Sequence, residues 1–189
     1  MQWAAYRRTE VQIRNWDPVT REVFGFVRDQ IIGVHPRAGV EHIGSTSVPG
    51  LAGKNTVDVM VLPQSVGEIS PATSALEGLG LCHARGSRAE RPFLLGAVTD
   101  DDGNAHFVHI HVVVAGSDEA TTQRGFAAAL RTDPTLRFDY AAVKKRVIDA
   151  GVVDPLRYSM DKGDWVVDAL RRLGLPPLPD DGPPPPNCR

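Results

Sequence analysis

Two short runs and the loop between them limit what this chain can fold into. The segment Val40-Glu-His-Ile43 is followed by Gly44-Ser-Thr-Ser47, and the chain then runs Thr56-Val-Asp-Val-Met-Val-Leu62. The second run alternates strictly, placing Val57, Val59 and Val61 on one face of a strand and Asp58 and Met60 on the other. A strand of this kind buries its valine face. An aspartate between valines is costly to desolvate unless it opens into a polar cleft or meets a cation. A Gly-Ser loop after one strand and a carboxylate on the next can hold a phosphate chain on backbone amides and hydroxyls. The carboxylate can then offer oxygen to a metal ion.

The rest of the pattern is α+β. Asp17-Pro18 reads as a helix start, and Val19, Val23, Phe26, Val27 and Ile31 form one apolar stripe, which predicts a helix over 18–33. Strands are expected at 40–43 and 56–62, and a second helix opens at Ser70-Pro71 and ends in Gly78-Leu-Gly80. Strands at 81–86 and 92–98 follow. Asp100-Asp-Asp-Gly-Asn104 then turns the chain into a strand over 106–114. Helical periodicity returns at 118–131, 135–150 and 155–173, broken by Asp133-Pro134, with Gly151 and Gly174 as C-caps. The expected layout is a single domain over 1–174 and a Pro-rich, disordered tail over 175–189.

Composition narrows the class of partner. A net charge of -2 over 189 residues argues against a general nucleic-acid binder. Cys82 and Cys188 have no metal-type spacing and suit a reducing compartment. The N-terminal residues lack the apolar core of a signal peptide, and no run approaches a membrane span, so a cytoplasmic protein is expected.

Candidate site residues divide into three groups. Gly44 permits close backbone approach, and Ser45, Thr46 and Ser47 supply hydroxyls beside N–H donors; the competing reading is a plain Ser/Thr turn. Asp58 is a metal ligand or, alternatively, the partner of an arginine or the cap of a loop. His109 and His111 share one face of Phe107-Val-His-Ile-His-Val-Val-Val114 and can bind a metal, hold phosphate or exchange protons; two hydrogen-bonded strand histidines are the plainer reading. Lys54, Arg88, Arg91, Arg131, Lys144 and Lys162 would surround an anion if the helical third covers the cleft, and otherwise belong to solvated faces.

The stretch His42-Ile-Gly-Ser-Thr-Ser-Val-Pro-Gly-Leu-Ala-Gly-Lys54, with Thr56-Val-Asp-Val59, resembles the signature of the GrpB family. The similarity continues through His109-Ile-His111, Phe126-Ala-Ala-Ala-Leu-Arg131, Asp133-Pro134, Tyr140-Ala-Ala-Val-Lys-Lys145, and Tyr158 with Lys162, covering about residues 8–172. This resemblance implies a nucleotidyltransferase-like fold, also found fused to dephospho-coenzyme A kinase: a small mixed β-sheet flanked by helices, with a helical C-terminal third. Active nucleotidyltransferases carry two acids one residue apart on the second strand and a third acid on a later one. Here Met60 replaces the second, and His109 and His111 stand where the third is expected. Asn55 replaces a proline common in relatives.

The expected function is a transferase acting on a nucleotide or phosphorylated small molecule with Mg²⁺ or Mn²⁺. Asp58, His109 and His111 are its catalytic candidates. Gly44, Ser45, Thr46, Ser47, Lys54, Arg131 and Lys144 would bind phosphate, and Asp58, Glu41 and His111 the metal. Two alternatives stand beside it: a metal-independent enzyme using His109 and His111 as acid and base, and a non-catalytic ligand-binding or regulatory module.

Overall fold

The computed structural model describes residues 1–7 and 10–179. The first half contains β1 (Gln2–Ala4), β2 (Ile13–Arg14), α1 (Val19–Val34), β3 (Gly39–Ile43), β4 (Gly53–Lys54) and β5 (Thr56–Leu62). It continues with α2 (Ile69–Gly78), β6 (Cys82–His83), β7 (Phe93–Thr99) and β8 (Ala105–Val112). The C-terminal third is helical: α3 (Asp118–Thr132), α4 (Pro134–Asp149), α5 (Pro155–Asp161) and α6 (Gly163–Arg172). The main sheet has the order β1-β7-β8-β5-β3, with β6 paired to β7, and β2 and β4 form a separate ribbon. Only β5 and β8 run parallel; the remaining pairs are antiparallel, so the sheet is mixed.

Local signals explain the boundaries. Asp17 Oδ1 accepts the Val19 N–H at 2.9 Å and starts α1. Asp133 Oδ1 accepts from Thr135 and Leu136 at 2.8 and 3.0 Å, with Pro134 occupying a position whose N–H has no helical partner. Such a cap contributes about 1 kcal/mol.

The two sheet faces are covered differently. Val57, Val59, Val61, Val108, Ile110 and Val112 pack against Val23, Val27 and Ile31 of α1 and Ile69, Ala72 and Leu76 of α2. On the other face, Ile43, Met60, Leu62 and Val113 are buried against Ala120 of α3. Val48 and Leu51, just after the Gly-Ser loop, sink into a cluster made by Leu130, Leu136, Tyr140 and Ala169. The helical third is therefore anchored to the loop itself.

Three expected boundaries change. The strand read over 81–86 shrinks to Cys82–His83, because Gly86 turns the chain at φ 88°. The helix read over 155–173 breaks at Lys162, which ends α5 and begins α6, with Gly163 as the poor helix former at the junction. Leu175 and Pro176, read as the start of the tail, pack against α3 and α6. Leu175 N–H reaches Leu170 O at 3.0 Å, Pro176 O accepts from Thr122 Oγ1 at 2.8 Å, and the Leu175 side chain fills the space over Gly125. Residues 180–189, and Cys188 with them, lie outside the described residues.

At the end of the valine face, a buried polar network joins the β7–β8 turn to the entry of β5. His106 Nε2 is 2.8 Å from Asp100 Oδ2, and its Nδ1 is 3.0 Å from Asn55 Oδ1, whose amide nitrogen donates to Ala105 O at 2.9 Å. Asp100 Oδ1 also accepts the N–H groups of Asp102 and Asn104. The His106 hydrogen bond, with help from Asn104 and against some burial, holds the Asp100 carboxyl down at about 2, below the ordinary 3.8. A depressed carboxyl contributes stability above its unfolded pKa, and that stability is lost as pH falls through the folded value. Stability is thus expected to decline between about pH 4 and pH 2. Asp100→Asn should be less stable at pH 7 and flatter across that window in urea titrations; an unchanged slope would assign the acid loss elsewhere.

Candidate functional site

Gly44 ends β3 at φ 68° and ψ -170°, and Ser45–Ser47 continue as a short 3₁₀ turn. A Cβ on Gly44 would lie 2.3 Å from Asp58 Oδ2, so the loop crosses the aspartate at a distance only glycine allows. Thr46 is buried and locks the turn: its hydroxyl donates to Thr56 O at 3.0 Å and therefore accepts from His42 Nε2, also at 3.0 Å. His42 in turn stacks on Phe24, with centroids 4.8 Å apart. Burial holds its pKa down at about 4, so the ring is neutral and able to donate from one nitrogen. Ser47 is gripped from outside by Arg131, whose Nη2 donates to its Oγ at 3.0 Å and Nε to its carbonyl at 3.2 Å.

The register of the sheet sets the face opposite the valines. Ile43, Asp58, His109 and Leu95 form one lateral row; Glu41, Met60, His111 and Phe93 form the next. His109 Nδ1 lies 3.4 Å from Asp58 Oδ1. Burial by itself would raise the Asp58 pKa, but His109, Lys54 and His111 outweigh it and keep the carboxyl ionised well below its usual range. Burial lowers both histidines, His111 to about 4, so neither carries charge at neutral pH. His111 stacks on Phe93 at 4.6 Å, and His109 meets the same ring edge-on at 5.3 Å.

Three lysines converge on the loop from the other side. Lys144 is 1% exposed, and its ammonium donates to Ser45 Oγ at 3.1 Å and to Ala52 O, over the ring of Tyr140 at 4.5 Å. Burial, then the neighbouring charge of Lys162, lowers its pKa to about 7. Lys162 donates to Tyr140 Oη at 3.3 Å; that hydroxyl favours the charged form over the burial opposing it, so the pKa is raised. Burial lowers the Lys54 pKa, and its ammonium makes no hydrogen bond and no ion pair within 4 Å among the described residues. It lines two openings. One, of about 640 Å³, is also bounded by Tyr6, Thr56, Phe107 and His109; the other, of about 230 Å³, by Trp16, Thr46, Asn55 and His106.

The structure thus brings together Gly44, Ser45, Lys54, Asp58, His109 and Lys144, with Thr46, Ser47 and Arg131 fixing the loop. It does not bring Glu41 to a metal site. Both Glu41 oxygens accept from Arg124 of α3, at 2.8 and 2.7 Å, because α3 lies over that end of the sheet. Arg91 is likewise drawn to Glu119 of α3 by two 2.7 Å bonds, away from the expected ring of cations. Met60 is fully buried and offers only sulfur. Among the described residues, no group of three or more His, Cys, Asp or Glu is placed to hold a metal ion. The two-metal arrangement of nucleotidyltransferases therefore does not fit these side chains. Lys162 and Tyr140 complete this wall; Lys162 is among the cations expected from the sequence, whereas Tyr140 stands out there only through the family resemblance. Their spacing on helices is otherwise that of any packed or solvated face.

A small mixed sheet with a Gly-Ser loop, a carboxylate on the adjacent strand and helices packed over the loop defines a nucleotidyltransferase-like fold. Cid1 poly(U) polymerase with Mg 3′-dATP bound shares it at a TM-score of 0.52 and 18% identity, over 86% of this chain and 50% of that one. The match to conserved protein GrpB from Enterococcus faecalis is fuller: TM-score 0.71, 21% identity, 86% of this chain and 96% of that one. The GrpB protein family profile matches residues 10–172, and the chain belongs to that family. Among curated relatives, UPF0157 protein SCO7215 of Streptomyces coelicolor is 34% identical over 71% of this chain and 68% of its own length. UPF0157 protein YqkA of Bacillus subtilis is 27% identical, over 78% of this chain and 39% of its own. A dephospho-CoA kinase of Mycobacterium leprae is 28% identical, over 73% of this chain and 40% of its own. The chain thus spans well under two thirds of the length of several relatives it matches.

Proposed function

We propose that this protein binds a nucleotide or another phosphorylated small molecule by its phosphates, between the Gly44–Ser47 loop and the lysines of the helical third, and acts on it as a transferase. The observation that carries this reading is Lys144. A lysine is held almost wholly out of water with its ammonium on the hydroxyl of Ser45, and two further lysines face the same place. Burying that much like charge is costly and is offset when an anion arrives. His109 lines the larger opening with Asp58 behind it at 3.4 Å, and there an acceptor hydroxyl would meet a neutral imidazole able to take its proton.

The test is a thermal-shift panel of nucleotides and phosphorylated metabolites, each run with EDTA and with Mg²⁺. A ligand at 100 times its Kd should stabilise the fold by about 2.7 kcal/mol, and Lys144→Met should abolish the shift. No shift with any ligand in either buffer would sink the reading. A second reading, a module that binds without turnover, is favoured by the loss of Glu41 to Arg124 and of the position-60 acid to Met. Chromatography of the bound nucleotide after long incubation separates the two, since only a transferase consumes it.

A further inference from the structure

The charge in this cleft is arranged in the reverse of a metal-ion site. Metal-dependent phosphoryl sites gather carboxylates so that divalent ions can bring positive charge to the phosphates. Here one carboxylate remains, and it is already engaged: Asp58 Oδ1 faces His109 Nδ1 at 3.4 Å, while the Gly44 backbone closes over Oδ2. Around it stand Lys144, on Ser45 one residue past Gly44; Lys162, on the hydroxyl of the Tyr140 ring that Lys144 also covers; and Lys54, which lines the same opening as His109. Their donor capacity is largely open. An ammonium has three N–H donors; Lys144 directs two to Ser45 and Ala52, Lys162 one to Tyr140, and Lys54 none to any described residue. The outer neighbours that would otherwise compete are committed elsewhere, Glu41 to Arg124 and Arg131 to Ser47.

Resting on the reading that the cleft takes a phosphate-bearing ligand, we propose that it holds a polyphosphate chain without a divalent ion. Lys54, Lys144 and Lys162 supply the positive charge that Mg²⁺ brings to related folds, and Asp58 serves as their counter-ion rather than as a metal ligand. A free polyphosphate then binds better than its Mg²⁺ complex, because complexation removes the charge the lysines recognise. Removing the Asp58 charge strengthens binding instead of ending it.

Calorimetric titration with inorganic tripolyphosphate decides the matter. In EDTA the wild-type chain should bind it about threefold or more tightly than in excess Mg²⁺. Asp58→Asn should tighten the EDTA value by a similar factor, and Lys54→Met should weaken it by about tenfold or more, the loss of one desolvated charge contact. Binding that appears only when Mg²⁺ or Mn²⁺ is added overturns the proposal and leaves the phosphate-site reading standing; so does binding lost in a folded Asp58→Asn variant. Tripolyphosphate binding in neither buffer overturns the proposal, and the nucleotide panel then judges the reading beneath it separately. If Asp58→Asn does not fold, the wild-type comparison and Lys54→Met still decide.

Discussion

Gly44→Ala is expected to lower stability by about 4 kcal/mol, from backbone strain and from the collision it forces. At φ 68° and ψ -170° the backbone occupies a region essentially restricted to glycine, where any side chain costs on the order of 1–3 kcal/mol. The added Cβ would also stand 2.3 Å from Asp58 Oδ2 and 2.9 Å from its Cγ. Asp58 has little room to withdraw, because β5 is paired on both sides, to Ile43 of β3 and to His109 of β8. Displacing its carboxylate leaves an ionised group away from His109 in a largely buried place. For a chain of this size the melting temperature should fall by roughly 8–16 °C. Gly50 provides the control: it too has positive φ, at 78°, but a Cβ there meets nothing within 4 Å, so Gly50→Ala carries the backbone strain alone. Combining Gly44→Ala with Asp58→Ala should relieve most of the collision, leaving a 3.0 Å contact with the remaining Cβ, but not the strain. A loss below about 1 kcal/mol for Gly44→Ala would show that the loop shifts freely and that its contact with Asp58 is incidental.

That contact also marks how far the sequence could be read. Alternation in Thr56–Leu62 and Ala105–Val112 located the central strands, since the valine and isoleucine face can be buried only one way. Asp17 announced a helix start, and Asp133-Pro134 a break, through side chains that cap the helices that follow. Alternation also placed Asp58 and Met60 on one face, but it could not divide that face. The division comes from α3, some sixty residues later: it covers Met60 with Ala120 and draws off Glu41 with Arg124, leaving Asp58 at the uncovered end. The same distance left Lys162 undecided between the ring of cations and a solvated face. On its own helix it resembles a solvated residue, and only the break before Gly163 and the packing of α4 set its ammonium on Tyr140. His106, on the opposite face of the same strand, has a shorter carboxylate contact than His109, through an aspartate in a turn whose residues all look solvated. Local chemistry was legible; which polar groups the helical third would claim was not.

Lys144 makes the strongest link between stability and binding, and Lys144→Met is expected to stabilise the fold while ending phosphate recognition. Burial and Lys162 lower the ammonium from 10.5 to about 7, a differential of roughly 4–5 kcal/mol at most. Between those values the unfolded chain binds a proton that the folded chain lacks, so this group makes stability rise with pH across the window. Below about pH 7 the folded state carries the full cost of the buried charge. Methionine removes that cost but leaves Ala52 O and Ser45 Oγ without their donor, which returns about 1–3 kcal/mol. The net gain should be about 1–3 kcal/mol at pH 6 and should turn into a small loss toward pH 10, where the missing hydrogen bonds remain and the charge cost is gone, as urea titrations at both pH values would read. Ligand binding runs through the same proton. A phosphate beside Lys144 favours its charged form, so above about pH 7 binding must take up a proton and affinity should fall by up to tenfold per pH unit. Calorimetry with a phosphomonoester ligand between about pH 8 and 10, where its phosphate is already fully ionised, should register that uptake as a heat depending on the buffer's ionisation enthalpy. A flat affinity across this range would mean that Lys144 stays charged in the free protein and that the coupling does not exist. A Lys144→Met variant that melts lower at pH 6 than the parent would mean that its hydrogen bonds to the loop outweigh the cost of burying its charge.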